Sequence, residues 1–262
     1  MSCLCLAWSP GAPACPLELV PRLPHLESPT RSLQTAHLAP RGPGWHELPS
    51  VTFSYLHGFA SGPGSTKARF FRARIAEHGI ALEIPDLAPD FTHMTVTGML
   101  AVVEAILARG PAVLLGSSLG GYLAALAAAR RPDRVRGLVL FAPAFGFAAR
   151  WEVRIGPAAL ARWRENGTAP VHHYGLGRDL PLATELLDDA RRYPEEPDPT
   201  APALVHAGRH DEAVPLAAVE RFARARPGRE LAVYDSGHEL TDVLEPMWER
   251  TAAFLRGLGA LG

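Results

Sequence analysis

No residue after Cys15 is a cysteine, and Cys3, Cys5 and Cys15 all lie near the N-terminus. A core folded from the rest of the chain therefore has no disulfide framework, no thiolate metal site and no cysteine nucleophile. That usage fits a reducing compartment. Long apolar runs are also missing. A bilayer-spanning helix needs about 20 predominantly apolar residues, and the longest candidate, 137–149, is shorter and is broken by Pro143. Residues 1–8 have neither a basic leading segment nor a long apolar stretch, so no secretory signal is expected. A cytoplasmic protein without a membrane span is the expectation. Charge of one sign is absent as well: 26 Lys and Arg stand against 27 Asp and Glu. Nucleic-acid binding needs a concentrated basic face. The Arg-rich stretch at 130–134 is interrupted by Asp133, so no nucleic-acid partner is expected.

The first 50 residues stand apart, holding nine of the chain's 25 prolines and no helical or strand periodicity. Proline removes backbone donors and disfavours helix in the residue before it. Residues 1–50 are therefore expected to be a disordered Pro-rich extension, a targeting segment, or sequence upstream of the true start. Residues 51–262 are expected to form the folded domain.

From 51 onward, short apolar runs alternate with longer helical stretches. Val51–Leu56 reads as a strand and Ser65–His78 as a helix, with Phe70, Phe71 and Ile75 on one face. Ile80–Ile84 reads as a strand, Thr95–Arg109 as a helix, and Ala112–Leu115 as a third strand. Leu119–Arg130 is an alanine-rich helix and Gly137–Phe141 a fourth strand. After residue 202 come the strand Ala203–Ala207, the helix Leu216–Ala225, the strand Glu230–Tyr234 and a C-terminal helix over Thr241–Leu255. This alternation implies an α/β fold: a mostly parallel sheet with helices on both faces. Ligands then sit beyond the carboxyl ends of the strands. The stretch 145–200 breaks the alternation. It contains Trp151, Trp163, Tyr174 and Tyr193 with helical pieces at Ala158–Arg164 and Leu182–Arg191, and is expected to be a short helical cap over the site.

The strongest chemical signal is Gly116–Ser117–Ser118–Leu119–Gly120–Gly121. It fits G-x-S-x-G centred on Ser118, directly after a strand and before a helix, the context this motif requires. Ser117 is excluded, because its flanking positions are Leu115 and Leu119. A serine hydroxyl is a weak nucleophile and needs a base oriented by a third group. The partners should follow in the order acid, then histidine. Asp211 comes just past the strand Ala203–Ala207, and His238 just past Glu230–Tyr234. Both are assigned as catalytic. Glu212 and Asp235 are alternative acids, and Asp242 reads as a first-turn helix charge. His206 reads as a core residue, and His210 as shaping the loop beside Asp211. His206, His210 and Asp211 could mimic a metal site, but no metal is expected. His172 and His173 could touch substrate but have no strand to position them.

A third signal is the glycine-rich loop Leu56–Ser65 after the first strand. Acyl transfer passes through an oxyanion that backbone N–H groups stabilise. The expected donors are the amides of Phe59 and Leu119, with His57 holding the loop open. The plain alternative is a strand-to-helix connection capped by Ser65.

Residues 51–258 resemble the α/β-hydrolase superfamily. Tyr55–Leu56–His57–Gly58–Phe59–Ala60–Ser61, Ser65–Thr66–Lys67–Ala68 and Gly116–Tyr122 are similar to the YqiA-type esterases and to the related acyl-protein thioesterase branch. The resemblance implies hydrolysis of carboxylic esters or thioesters through an acyl-enzyme on Ser118, without metal or organic cofactor. It carries the triad onto Ser118, Asp211 and His238 and the oxyanion donors onto Phe59 and Leu119. The Pro-rich first 50 residues are not part of that pattern, and 145–200 is longer than in the smallest YqiA-type members. The expected partner is a small-molecule acyl ester or thioester. The rival readings are a C–C or amide bond hydrolase on the same triad, and a hydrolase fold retained for binding alone.

Overall fold

A computed structural model describes residues 51–262; the expected N-terminal extension and the three cysteines lie outside the described residues. The domain begins with β1 (Thr52–Leu56), α1 (Thr66–Ala76), β2 (Leu82–Glu83) and α2 (Val96–Ala108). Then come β3 (Ala112–Ser117), α3 (Leu119–Arg130) and β4 (Val135–Phe141). Residues 147–190 form α4 (Phe147–Ile155), α5 (Pro157–Asn166), β5 (Thr168–His173), β6 (Arg178–Ala183) and α6 (Glu185–Ala190). The chain closes with β7 (Ala203–Gly208), α7 (Leu216–Arg224), β8 (Arg229–Tyr234) and α8 (Leu244–Gly257).

Six strands form one sheet in the order β2-β1-β3-β4-β7-β8, and every pairing in it is parallel. Such a sheet needs both faces covered, which is why its strands read as continuous apolar runs. Along β3 the side chains alternate. Leu114 joins a core with Leu140, Val205, Met99 and Leu123 on the α2–α3 side. Val113 and Leu115 join a core with Phe71 and Ile75 of α1 and Phe254 and Leu255 of α8. The alanine-rich helix α3 is buried without a break from Leu119 to Ala128, since small side chains let it lie against the sheet.

The stretch between β4 and β7 differs from the sequence expectation. Leu182 is not helical; it lies in β6, and only Glu185–Ala190 forms the helix expected over Leu182–Arg191. His172 and His173 do lie on a strand, β5, which pairs antiparallel with β6 so that Pro170 faces Pro181. Proline argues against a central strand. In a two-stranded ribbon each strand is an edge, so proline is tolerated. The helix α4 carried no sequence assignment. At the C-terminus α8 starts at Leu244 rather than Thr241.

His206 lies within β7 and is fully buried. Its Nδ1 pairs with the Tyr234 hydroxyl at 2.9 Å and its Nε2 with Thr251 Oγ1 at 3.1 Å. Burial, helped by the Arg250 charge, pushes its pKa down from 6.5 to about 3. Between those values the unfolded chain binds a proton that the folded chain refuses. The contribution is therefore complete above 6.5 and is lost as pH falls toward 3, at up to about 1.4 kcal/mol per pH unit. His206→Gln should flatten the acid side of the stability profile, as measured by urea unfolding between pH 7 and pH 4.

Candidate active site

Ser118 sits between β3 and α3 with φ 51° and ψ −115°. A non-glycine residue there costs roughly 1–3 kcal/mol and needs its surroundings to hold it. Its N–H donates to Phe141 O at 2.8 Å, and its carbonyl accepts from Tyr122 N at 3.1 Å and Ala144 N at 3.0 Å. The flanking glycines are sterically required. A Cβ on Gly116 would stand 2.5 Å from Gly120 O, and one on Gly120 would stand 2.1 Å from Leu56 O.

His238 and Asp211 come to this serine from loops after β8 and β7. His238 Nε2 is 3.0 Å from Ser118 Oγ, and its Nδ1 is 2.8 Å from Asp211 Oδ2. The other carboxylate oxygen, Asp211 Oδ1, accepts from the amides of Ala213 and Val214, each at 2.8 Å. The Asp211 side chain is 3% exposed and that of His238 12%. An ionised carboxylate only accepts, so His238 Nδ1 must donate and Nε2 presents its lone pair to the serine hydroxyl. The protein thus assigns the tautomer through two backbone amides that fix the acid.

The loop after β1 reaches the same place. A Cβ on Gly58 would meet Ser118 Cβ at 3.5 Å. The His57 ring is buried; its Nδ1 pairs with Gly58 O at 3.0 Å and its Nε2 accepts from Leu87 N at 3.1 Å. Both contacts suit one neutral tautomer, and burial holds the pKa of this ring below its ordinary value. Leu119 is the first residue of α3, so its amide has no acceptor within the helix. Ser65 precedes α1, but its side chain makes no capping bond.

An aromatic wall stands over this floor. Phe59 packs edge-on against Trp151 of α4 at 4.8 Å between centroids and lies 5.8 Å from Phe91. Trp151 continues to Phe147 and Trp163, and Phe91 to His173. The β5–β6 hairpin is tied to the same loop, because Tyr174 N donates to Ala60 O at 2.8 Å. A cavity of about 290 Å³ lined by Tyr122, Phe147, Glu152, Arg191 and Tyr193 shares Phe147 with the wall.

The alternative acids are elsewhere. Glu212 is exposed, and Asp235, 87% exposed, pairs with His210 Nε2 at 2.6 Å. Asp242 is not a first-turn helix charge; it accepts from Ser236 Oγ at 2.5 Å, ahead of α8. His206 faces Tyr234 and Thr251 rather than His210 and Asp211, and among the described residues no group of three His, Cys, Asp or Glu side chains could hold a metal ion. Two neighbours escaped the sequence reading. Arg150 of α4 donates from Nε to Ala213 O at 3.2 Å, bracing the Asp211 loop. Lys67 of α1 donates to Glu239 O, beside His238. Arg150 belongs to no motif; Lys67 lies in the Ser65–Ala68 segment that carries the family resemblance, but nothing in that segment names its main-chain acceptor.

Among the described residues no helix is long and apolar enough to cross a membrane. The family model described as "Uncharacterised protein family (UPF0227)" matches residues 52–256. No curated protein matches the sequence. Solved structures do. A putative hydrolase from Agrobacterium vitis S4 is 24% identical with TM-score 0.69, over 78% of this chain and 88% of that one. Alpha/beta hydrolase domain-containing protein 10 from mouse is 21% identical with TM-score 0.67, over 79% and 90%. Est1E from Butyrivibrio proteoclasticus is 22% identical with TM-score 0.62, over 80% and 90%. At these identities the likeness speaks for the fold.

Proposed function

Given that the chain belongs to the UPF0227 family, the YqiA-type α/β-hydrolases, we propose that it is a serine hydrolase of carboxylic esters or thioesters working through an acyl-enzyme on Ser118. The observation that carries this reading is the unbroken chain from Ser118 Oγ to His238 Nε2 at 3.0 Å and from His238 Nδ1 to Asp211 at 2.8 Å. In the first half-reaction Ser118 Oγ attacks the acyl carbonyl while His238 Nε2 takes its proton. The imidazolium that forms is stabilised by Asp211, and the Phe59 and Leu119 amides hold the oxyanion. One such donor is worth about 10²–10³ in rate. The N-terminus of α3 adds favourable field to the same oxygen. His238 then protonates the leaving group, and the second half-reaction repeats the steps with water as nucleophile.

Ester bonds as the target are supported by fold neighbours named as a monoacylglycerol lipase from Paleococcus ferrophilus and as the lipolytic enzymes LipS and LipT. The wall of Phe59, Phe91, Phe147 and Trp151 favours an apolar acyl group. The test is a fluorophosphonate probe followed by peptide mapping, beside turnover of p-nitrophenyl esters and matched thioesters of increasing acyl length. The expected result is one label, on Ser118, and measurable hydrolysis. A protein that neither labels nor turns over any member of the series would refute the reading.

A further inference from the structure

Of the chain's 26 Lys and Arg residues, 25 are arginine and one, Lys67, is lysine. Among the described residues several arginines serve the surface, in ion pairs such as Arg130–Glu104 and Arg226–Asp198, while Arg229, 1% exposed at its side chain, pairs with Asp198. The lone lysine is not on the surface. It belongs to α1, is 7% exposed, and donates its ammonium to the carbonyl of Glu239, 172 residues away in sequence and next to His238. Burying an ammonium is costly unless something is gained. Burial holds the Lys67 pKa down, against the opposing charges of Glu239 and Asp211. A guanidinium is broad and planar and does not substitute for a compact charge on one carbonyl.

The loop that carries His238 shows what needs holding. Its upstream side is fixed by His210 N to Ser236 O at 3.0 Å and by Ser236 Oγ to Asp242 at 2.5 Å. Its downstream side passes directly into Leu240, whose φ of 53° is a left-handed backbone that a leucine rarely adopts. Between them stands Glu239, whose carbonyl Lys67 grips. Lys67 also lies just after the loop of His57 and Phe59, so its side chain ties that half of the site to the half that bears the base.

We propose that Lys67 is a positioning residue for His238: by pinning the Glu239 carbonyl it keeps the imidazole on the line between Ser118 and Asp211. This rests on the serine-hydrolase reading above. A displacement of about 1 Å at a reacting group can cost on the order of 10²-fold in rate. Lys67→Met, of similar length but apolar, should lower kcat on p-nitrophenyl butyrate about 10–100-fold while KM stays within about twofold. Amide hydrogen exchange over 235–241 should quicken, and the melting temperature should change little, since the unpaired Glu239 carbonyl is offset by relief of a buried ammonium. Lys67→Arg should fare no better than Lys67→Met. Lys67→Leu, which likewise has no donor, carries the same comparison if K67M does not accumulate as folded protein. A kcat within threefold of the parent, with exchange over 235–241 unchanged, would overturn the proposal. So would a rate loss tracked by a fall in melting temperature with no local change in exchange. If the parent protein neither labels nor hydrolyses, the function fails separately, and exchange over 235–241 still decides the role of Lys67.

Discussion

Asp211→Asn should lower kcat about 10⁴-fold with the fold intact. The size of the loss follows from the fixed orientation of this side chain. Its Oδ1 accepts two backbone amides, from Ala213 and Val214. An asparagine must keep its carbonyl oxygen there, because an NH₂ group facing two N–H donors would leave all of them unpaired. The NH₂ group is then forced toward His238 Nδ1, which must accept instead of donate. The proton moves to Nε2, and the atom facing Ser118 can no longer take the serine proton. Ser118→Ala and His238→Ala should fall further, about 10⁶-fold, and the double variant no further than either, since the two act as one unit. Turnover of p-nitrophenyl butyrate gives the rates, and thermal unfolding reports whether each variant is folded. A retained rate in Asp211→Asn, or a double variant far below the singles, would contradict the assignment.

Gly120→Ala should destabilise the domain by about 3 kcal/mol or more, in line with a hard overpacking defect. Against a typical total of roughly 5–15 kcal/mol this is a large part of the stability. The added methyl would stand 2.1 Å from Leu56 O and 2.5 Å from His57 O. Both are backbone atoms, at the end of β1 and the start of the proposed oxyanion loop, and neither can turn aside as a side chain does. Either α3 lifts from the sheet or β1 shifts, and the second displaces the Phe59 amide. Gly62→Ala is the control, because a Cβ there meets nothing within 4 Å and should change stability little. Urea unfolding of the two variants separates them. Equal midpoints would mean that close approach of α3 to β1 is not what the glycine serves.

Most of the sheet is legible in the sequence because its strands are buried on both faces and are punctuated by turn residues. The order of the candidate site residues is legible for the same reason: Ser118, Asp211 and His238 each follow such a run directly. What escaped lies where local pattern and tertiary context disagree. The β5–β6 hairpin pairs two prolines, which sequence rules set against a strand. Helix α4 has an apolar stripe at helical spacing, Phe147, Trp151 and Ile155, but it is nine residues long and none of its side chains is fully buried, a stripe too short to mark a helix within the cap. Thr241–Val243 looked helical, yet Asp242 turns to Ser236 and the helix waits for Leu244. Lys67 and Arg150 act on carbonyl groups far along the chain, and a main-chain acceptor leaves no trace in sequence.

β8 closes the sheet at one end and has only β7 as a neighbour. His238 hangs directly beyond this border strand, while Ser118 follows β3, which is flanked on both sides. Local opening in proteins runs through their least-supported units, at free energies well below global unfolding. His238, the proposed base, is therefore expected to detach while Ser118, the proposed nucleophile, stays in its core. On the serine-hydrolase reading, loss of activity on heating is then expected to be a fraying event at one border of the sheet, governed by the few bonds that moor the last loop rather than by the cohesion of the whole domain.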